Sequence, residues 1–399
     1  MAAKRHEINV AVPDVWSGPV TRRTMIKGAS LMAALFGAPG LLAACGGSTE
    51  SGTSTGESGS TVAPEAEKVL NFYNWTAYID DTSNAPDVPK DQLTIPKFEA
   101  ETGIKVNYST YSDNAELVAK ISSGGSGFDL VVPTDYIVKQ LIEAKKIRKL
   151  DQSKLGNVSA NLDDSFKNLF YDPNLEYSVP WGRGNTGIGI NKAVVTKDVK
   201  DASIFGDTDY AGQMSILSES HSTIPLALLY LGLDPQTSDP GELDKAFTQL
   251  GEWKANATIT SDYQDALGAG DFVVSHAYSG DVYQQITSSG KDLQYIIPTQ
   301  GADQYVDSLV ILGDAPHPGN AHEFMNFVYE PSVSANLMEA IHYRNANKAA
   351  YAMLPAELRE NPVVFPPPDV QERLIWVDLD EATTTLWING WDEFTGGES

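Results

Sequence analysis

Cysteine is almost absent. With Cys45 alone among 399 residues, no intrachain disulfide can form and no thiolate metal site can be built. Histidine is scarce and poorly spaced: His6, His221, His276, His317, His322 and His342 include no His-x-His or His-x-x-x-His pair, so no metal is expected. Neither a phosphate-binding glycine loop nor a dinucleotide fingerprint is present, and no cofactor is expected. Basic residues are also few, 28 Lys and Arg against 53 Asp and Glu, for a net charge of −25. Residues 1–44 hold five basic and two acidic residues, a net +3, which leaves −28 on residues 45–399. That sign argues against nucleic acid or an anionic membrane surface as a partner. It suits a cationic ligand, or a plain solvated acidic surface.

Catalytic patterns are equally thin. Gly52-Thr53-Ser54-Thr55-Gly56 matches a serine-hydrolase elbow, but it lies in a Gly/Ser/Thr-rich stretch rather than between a strand and a helix. His221 beside Ser220 and Ser222 is the one pairing that points to a nucleophile, and a turn with Ser222 as helix N-cap explains it as well. The chain is therefore not expected to be an enzyme; an exported hydrolase is the rival reading.

The first segment reads as an address. Thr21-Arg22-Arg23-Thr24-Met25-Ile26-Lys27 precedes a mostly apolar run, residues 28–44, that is short and rich in small residues for a membrane span. The paired arginines resemble a twin-arginine export signal. The run ends in Leu42-Ala43-Ala44-Cys45-Gly46, which resembles a lipoprotein lipobox with Cys45 as the lipidated residue. Residues 45–67 are mostly Gly, Ser, Thr and Glu, a flexible tether. Signal, lipid and tether together predict an exported protein anchored on the outer face of the cytoplasmic membrane, or in the periplasmic space.

From residue 68 the pattern is globular, and at this length two lobes are the natural expectation. Val69-Leu70-Asn71-Phe72 has strand composition and runs into Trp75 and Tyr78, expected on a loop at the strand's carboxyl end. Both rings could be core, or they could line a cleft of the kind that open α/β sheets form at such ends. A helix over 95–103, with Pro96 in its first turn and Gly103 as C-cap, leads to a strand over 104–108. A short helix over 115–121 precedes the apolar run 128–133, followed by Thr134, Tyr136 and a helix over 137–144. This βαβ alternation predicts a mostly parallel sheet covered by helices, with Thr134 and Tyr136 again just past a strand end. Residues 177–181 and 186–191 read as two strands around a Gly-containing bend, where the chain crosses into the second lobe. There the pattern restarts: a strand over 214–217, helices over 223–233 and 241–254, a strand over 272–278 leading to Tyr278 and Asp281, and a strand over 293–297. A strand over 305–312, containing Tyr305 and Asp307, returns to the first lobe, with helices over 321–329 and 331–341 behind it.

The order of these pieces resembles one family. Tyr73-Asn74-Trp75 with Tyr78, Glu101-Thr102-Gly103-Ile104-Lys105-Val106, Tyr108-Ser109-Thr110-Tyr111, Asp129-Leu130-Val131-Val132-Pro133, Tyr278-Ser279-Gly280-Asp281, Asp307-Ser308-Leu309 and Ile341-His342-Tyr343 resemble the bacterial spermidine/putrescine receptors of ABC importers. The resemblance runs over essentially all of the chain from residue 68. It implies an α/β, two-lobed periplasmic-binding-protein fold of type II, with two interrupted lobes joined by a hinge of crossing strands. The expected division is 68–181 with 305–350 in lobe 1, and 182–304 with 351–399 in lobe 2.

The resemblance also implies a monomeric receptor that closes on a polyamine and delivers it to permease subunits, with no cofactor. Trp75, Tyr78, Tyr136, Tyr278, Tyr305 and Tyr343 fall on its aromatic walls, with Thr134 beside them. Asp307 falls on its main amine-binding carboxylate, Asp281 on an acid of the putrescine-type members, and Glu219 on an acid of the spermidine-type members. Departures are Tyr where the family often has Trp, Ser222 in place of a second acid, Val377 in place of Gln, and Arg183 near the hinge. If Arg183 faced the cleft, the ligand could be a modified polyamine or carry an anionic group. A receptor or sensor for another cationic or amino-acid-like solute is the alternative.

Overall fold

The computed structural model describes residues 67–396. The expected export signal, Cys45 and nearly all of the tether lie outside the described residues. Among the described residues ten strands form one sheet. At one end, β1 (Val69–Trp75) pairs in parallel with β2 (Lys105–Tyr111) and β3 (Leu130–Val131). At the other, β5 (Met214–Ile216) pairs in parallel with β6 (Ala257–Ile259) and β7 (Val274–Tyr278). Between these triplets lie two long antiparallel strands, β4 (Ser178–Asn191) and β9 (Ala302–Ile311). Their other neighbours are short: β8 (Leu293–Ile296) on β4 and β10 (Leu374–Ile375) on β9.

Two apolar cores flank the crossing strands. One gathers Leu70, Phe72, Phe98, Ile104, Leu130, Trp181, Leu309 and Phe324. The other gathers Ile188, Ile190, Met214, Ile224, Leu250, Trp253, Val274 and Trp387. Strand β4 passes from the first to the second: residues 178–185 pair with β9, and residues 186–191 with β7 and β8. This is the hinge of crossing strands. A smaller cluster, with Leu354, Leu358 and Val364 against Ala335, Met338 and Tyr283, closes over the flank.

Local chemistry explains most element ends. Helix α1 (Thr94–Thr102) takes Pro96 in its first turn and stops at Gly103, whose φ of 70° suits a residue without Cβ. Helix α2 (Asn114–Ile121) starts where the Asp113 carboxylate accepts the Glu116 N–H at 2.7 Å. Strand β3 is shorter than its apolar run because Pro133 has no N–H to donate, and Thr134 at once begins helix α3 (Asp135–Glu143).

Three expectations are corrected. Residues 177–191 do not make two strands around a bend: β4 is one 14-residue strand with an irregularity between Pro180 and Gly182, kept in line by its pairing with β9. Trp75 is the last residue of β1 rather than a loop residue, and only Tyr78 stands in the turn beyond. Ser222 is not an N-cap. Helix α4 (Ser220–Tyr230) begins two residues earlier, with Glu219 as its cap, so Ser222 sits inside the first turn with its hydroxyl free for another partner.

Candidate ligand-binding cleft

The parallel strands deliver their polar and aromatic residues to one place. Trp75 ends β1 and Tyr78 follows it, Thr134 and Tyr136 follow β3, Glu219 follows β5, and Tyr278 ends β7 with Asp281 just past it. Strand β9 adds Tyr305 and Asp307. All of these, with Tyr343, line a single cavity of about 480 Å³ between the two cores. Carboxyl ends of strands converging on one crevice is the arrangement expected of an open α/β sheet.

Asp307 is held by two hydroxyl donors. It is buried, and its carboxylate accepts the Tyr78 hydroxyl at 3.0 Å and the Thr134 hydroxyl at 2.8 Å. Thr134 occupies the N-cap position of α3 but gives its hydroxyl to Asp307, not to the cap. Asp281, in the first turn of α5 (Ser279–Ser288), accepts the Tyr263 and Tyr343 hydroxyls, each at 2.8 Å. Glu219 accepts the Tyr136 hydroxyl at 2.9 Å and the Asn114 amide at 3.2 Å. Several of these bonds run from one lobe to the other, so the two walls touch around the cavity.

Burial makes these acids reluctant to ionise. It pushes the Asp307 carboxyl up to about 7 from an ordinary 3.8, against the pull of Thr134 and Tyr78. Asp303 is pushed up to about 7 and Asp281 to about 6 by the same cause. Glu219 is raised by burial, and Asp135 well raised. No Lys or Arg is among the described residues that line the cavity. Burial lowers the His221 imidazole to about 3, so it stays neutral, stacked on Tyr136 with ring centroids 3.7 Å apart. A buried group of acids with no internal cation is a site for a ligand that brings its own positive charge.

The walls between the acids are aromatic. The Tyr78 and Tyr343 rings meet edge to face at 4.8 Å, and Tyr278 and Tyr305 at 5.5 Å. Trp75 is fixed by its Nε1–H to the Val132 carbonyl at 2.8 Å and by the Tyr111 ring at 4.7 Å. This wall depends on glycines of β4. A Cβ on Gly182 would collide with the Tyr78 hydroxyl, and one on Gly184 with the Tyr305 and Tyr343 rings.

Arg183, between those glycines, points to the opposite face. Its guanidinium donates to Gln304 Oε1 at 2.5 Å and lies 5.1 Å from the Trp376 ring centroid. Strand alternation explains why: with Gly182 and Gly184 facing the cleft, Arg183 cannot. Arg183 therefore calls for neither a modified polyamine nor an anionic ligand group in the cleft. Val377 does line the cavity. Asp303, Tyr111, Asn114 and Gln264 line it too, and were not anticipated. Asp303 had a findable signal, since residues 303, 305 and 307 alternate onto one face of β9.

A family model described as "Bacterial extracellular solute-binding protein" matches residues 94–366. The chain belongs to this family. As a member of the bacterial extracellular solute-binding proteins it works outside the cytoplasm. Among its relatives, the putrescine-binding periplasmic protein SpuD of Pseudomonas aeruginosa is 32% identical over 351 residues, covering 83% of this chain and 93% of SpuD. The spermidine/putrescine-binding periplasmic protein of Escherichia coli is 31% identical over 332 residues, 82% of this chain and 92% of that protein. The solved structure of a proposed spermidine/putrescine ABC transporter protein from Listeria monocytogenes superposes with a TM-score of 0.75 at 29% identity, covering 82% of this chain and 99% of that one.

Proposed function

We propose that this solute-binding protein captures a polyamine of the putrescine/spermidine class between its lobes and delivers it to the permease subunits of an ABC importer. The observation that carries the reading is the cavity itself, with buried carboxylates, aromatic walls and no basic residue in its described lining. A polyamine is a chain of methylenes carrying ammonium groups. Rings cover the methylenes and attract the charges, each ring–ammonium contact contributing about 0.5–2 kcal/mol. The carboxylates supply charge-assisted hydrogen bonds at defined separations. In this reading Trp75, Tyr78, Tyr136, Tyr278, Tyr305 and Tyr343 are the walls, Asp307, Asp281 and Glu219 the amine acceptors, and Thr134 the group that orients Asp307.

An amino-acid-like ligand fits less well, because its carboxylate would enter a cavity already crowded with acids. Catalysis is not part of the proposal: the Ser222 hydroxyl donates to Asp303 at 3.0 Å rather than to His221, which is buried and neutral. Lobe 1 is taken as 68–181 with 305–350, and lobe 2 as 182–304 with 351–399. Cys45 is taken as the lipid anchor of a monomeric receptor, reached through residues 45–67 and exported by residues 1–44.

A thermal-melt panel tests the reading, because a ligand that binds only the folded state raises the melting temperature. Putrescine, spermidine and spermine should raise it. Neutral amino acids and dicarboxylates should not. Stabilisation by those solutes and by none of the polyamines would refute it.

A further inference from the structure

Arg183 is the cation that the cleft does not use. Strand β4 crosses the hinge with Gly182 and Gly184 toward the cleft, so Arg183 and Asn185 point to the back. There Arg183 forms an antiparallel bridge with Arg344, its backbone N–H donating to the Arg344 carbonyl at 2.8 Å. Residues paired in this way put their side chains on one face, and like charges so placed destabilise each other. Aromatic rings soften the repulsion without neutralising it. Arg183 lies 5.1 Å from the Trp376 ring centroid, and both guanidinium groups stand over Phe166, at 5.9 and 5.3 Å.

One carboxylate serves the two cations. Asp163 pairs with Arg344 at 3.3 Å, and among the described residues Arg183 has no ion-pair partner. The single hydrogen bond of its guanidinium there goes to the neutral Gln304 side chain. Burial and the neighbouring Arg344 lower Arg183 to about 10, so it still carries its charge at neutral pH. A charge taken from water beside a like charge, with only an amide as acceptor, is an unfavourable arrangement that an anion would reverse.

A cavity adjoins the pair. Arg183, Arg344, Asn185, Gln304, Gln371 and Leu374 line about 20 Å³ between the crossing strands and the segment 364–374, with no Asp or Glu in the described lining. Asn185 gives a second sign of a ligand. It is 3% exposed and its Oδ1 accepts the Tyr295 hydroxyl at 2.8 Å, yet its amide N–H groups donate to nothing among the described residues and stay open to the cavity. Donors left unbonded at a buried site are unfavourable. Since about 10–15 Å³ holds one water, the space takes a single particle of that order and has no room for sulfate or phosphate. A neighbouring cavity of about 240 Å³, which shares Arg344 and Gln371, gives a route in.

We infer that Arg183, Arg344 and Asn185 form a binding site for one monatomic anion of the chloride class behind the hinge, on the face of β4 opposite the cleft. The ion completes the arginine pair and fastens segment 364–374 to the crossing strands. Nothing in this site depends on what the cleft binds, so polyamine titrations neither support nor remove it.

Two measurements test it. In the purified protein, chloride in place of gluconate at constant ionic strength should raise the melting temperature by at least about 2 °C, because a ligand of the folded state stabilises that state. Arg183→Gln should abolish the rise. Equal melting in the two salts, or a rise that the variant keeps, would overturn the site. Crystals of the unaltered protein soaked in bromide read the position without relying on the variant's folding. Anomalous scattering should peak within hydrogen-bond reach of Arg183, Arg344 and Asn185; a cavity that holds water and no bromide would overturn the site.

Discussion

The two walls of the cleft carry the same functional groups on different supports. On the first-lobe side Asp307 sits mid-strand in β9, between β3 and β4, with its oxygens held by Tyr78 and Thr134. On the second-lobe side Glu219 caps α4 and Asp281 lies in the first turn of α5. A central strand is held on both edges, whereas a helix start is held only by the turn before it and the packing behind it. In the proposed reading Asp307 is a fixed anchor for one ammonium. Glu219 and Asp281 would then read how far away the next one lies, since helix N-termini favour negative charge without fixing its exact reach.

That contrast can be broken or sharpened by measurement. The largest effect is expected at the anchor: Asp307→Asn should weaken every polyamine at least tenfold, or 1.4 kcal/mol, and toward about a hundredfold because the buried ammonium loses its partner. Equilibrium binding of putrescine and spermidine to the variant checks this, and unchanged affinity would remove Asp307 from the anchor role.

Acidity should act on both walls together. The carboxyls at about 6 and 7 must be ionised to pair with an ammonium, which is itself protonated throughout this range. Between about pH 7.5 and 5.5 polyamine affinity should therefore fall, approaching tenfold per unit for each group titrated. The ligand-free protein should respond in the opposite sense. These acids bind protons more tightly folded than unfolded, so the stability they contribute is fully present below about 4 and is lost as pH rises through 6 to 7. Glu219 and Asp135 shift in the same direction, and neutral His221 adds no charge there. Melting and binding curves at matched pH would expose the opposed trends; affinity independent of pH would contradict them.

A smaller effect belongs to the reading wall. Asp281→Asn should weaken binding by several-fold, about 1 kcal/mol, since Glu219 stays on the same wall as a second acceptor. A loss exceeding that of Asp307→Asn would reverse the comparison. Smallest is the rim. Lys139 joins α3 to Asp378 at 2.6 Å with both side chains partly exposed, and Lys139→Ala should change affinity less than about threefold, as for other exposed ion pairs.

Much of this was legible before any coordinates. The strand at β1, the helix from Pro96 to Gly103, and the repeated delivery of polar and aromatic residues past strand ends all follow from local pattern, which is why the expected residues meet at one cavity. What was hidden is non-local. Arg183 could not be oriented from sequence, because the irregularity between Pro180 and Gly182 resets the alternation of β4. Asp303 was missed because Ala302 and Gln304 give little strand signal, and the reading began β9 three residues late. Tyr263, which donates to Asp281 and accepts the Tyr278 N–H, is held by bonds to residues 15 and 18 positions away that no local pattern marks.

The central claim is that this cavity of acids and rings is completed by a polyamine. Calorimetric titration of the purified protein with putrescine and spermidine tests it most directly. The expected result is saturable binding of one polyamine per chain. Absence of saturable heat with either, alongside binding of a neutral or anionic solute, would contradict it.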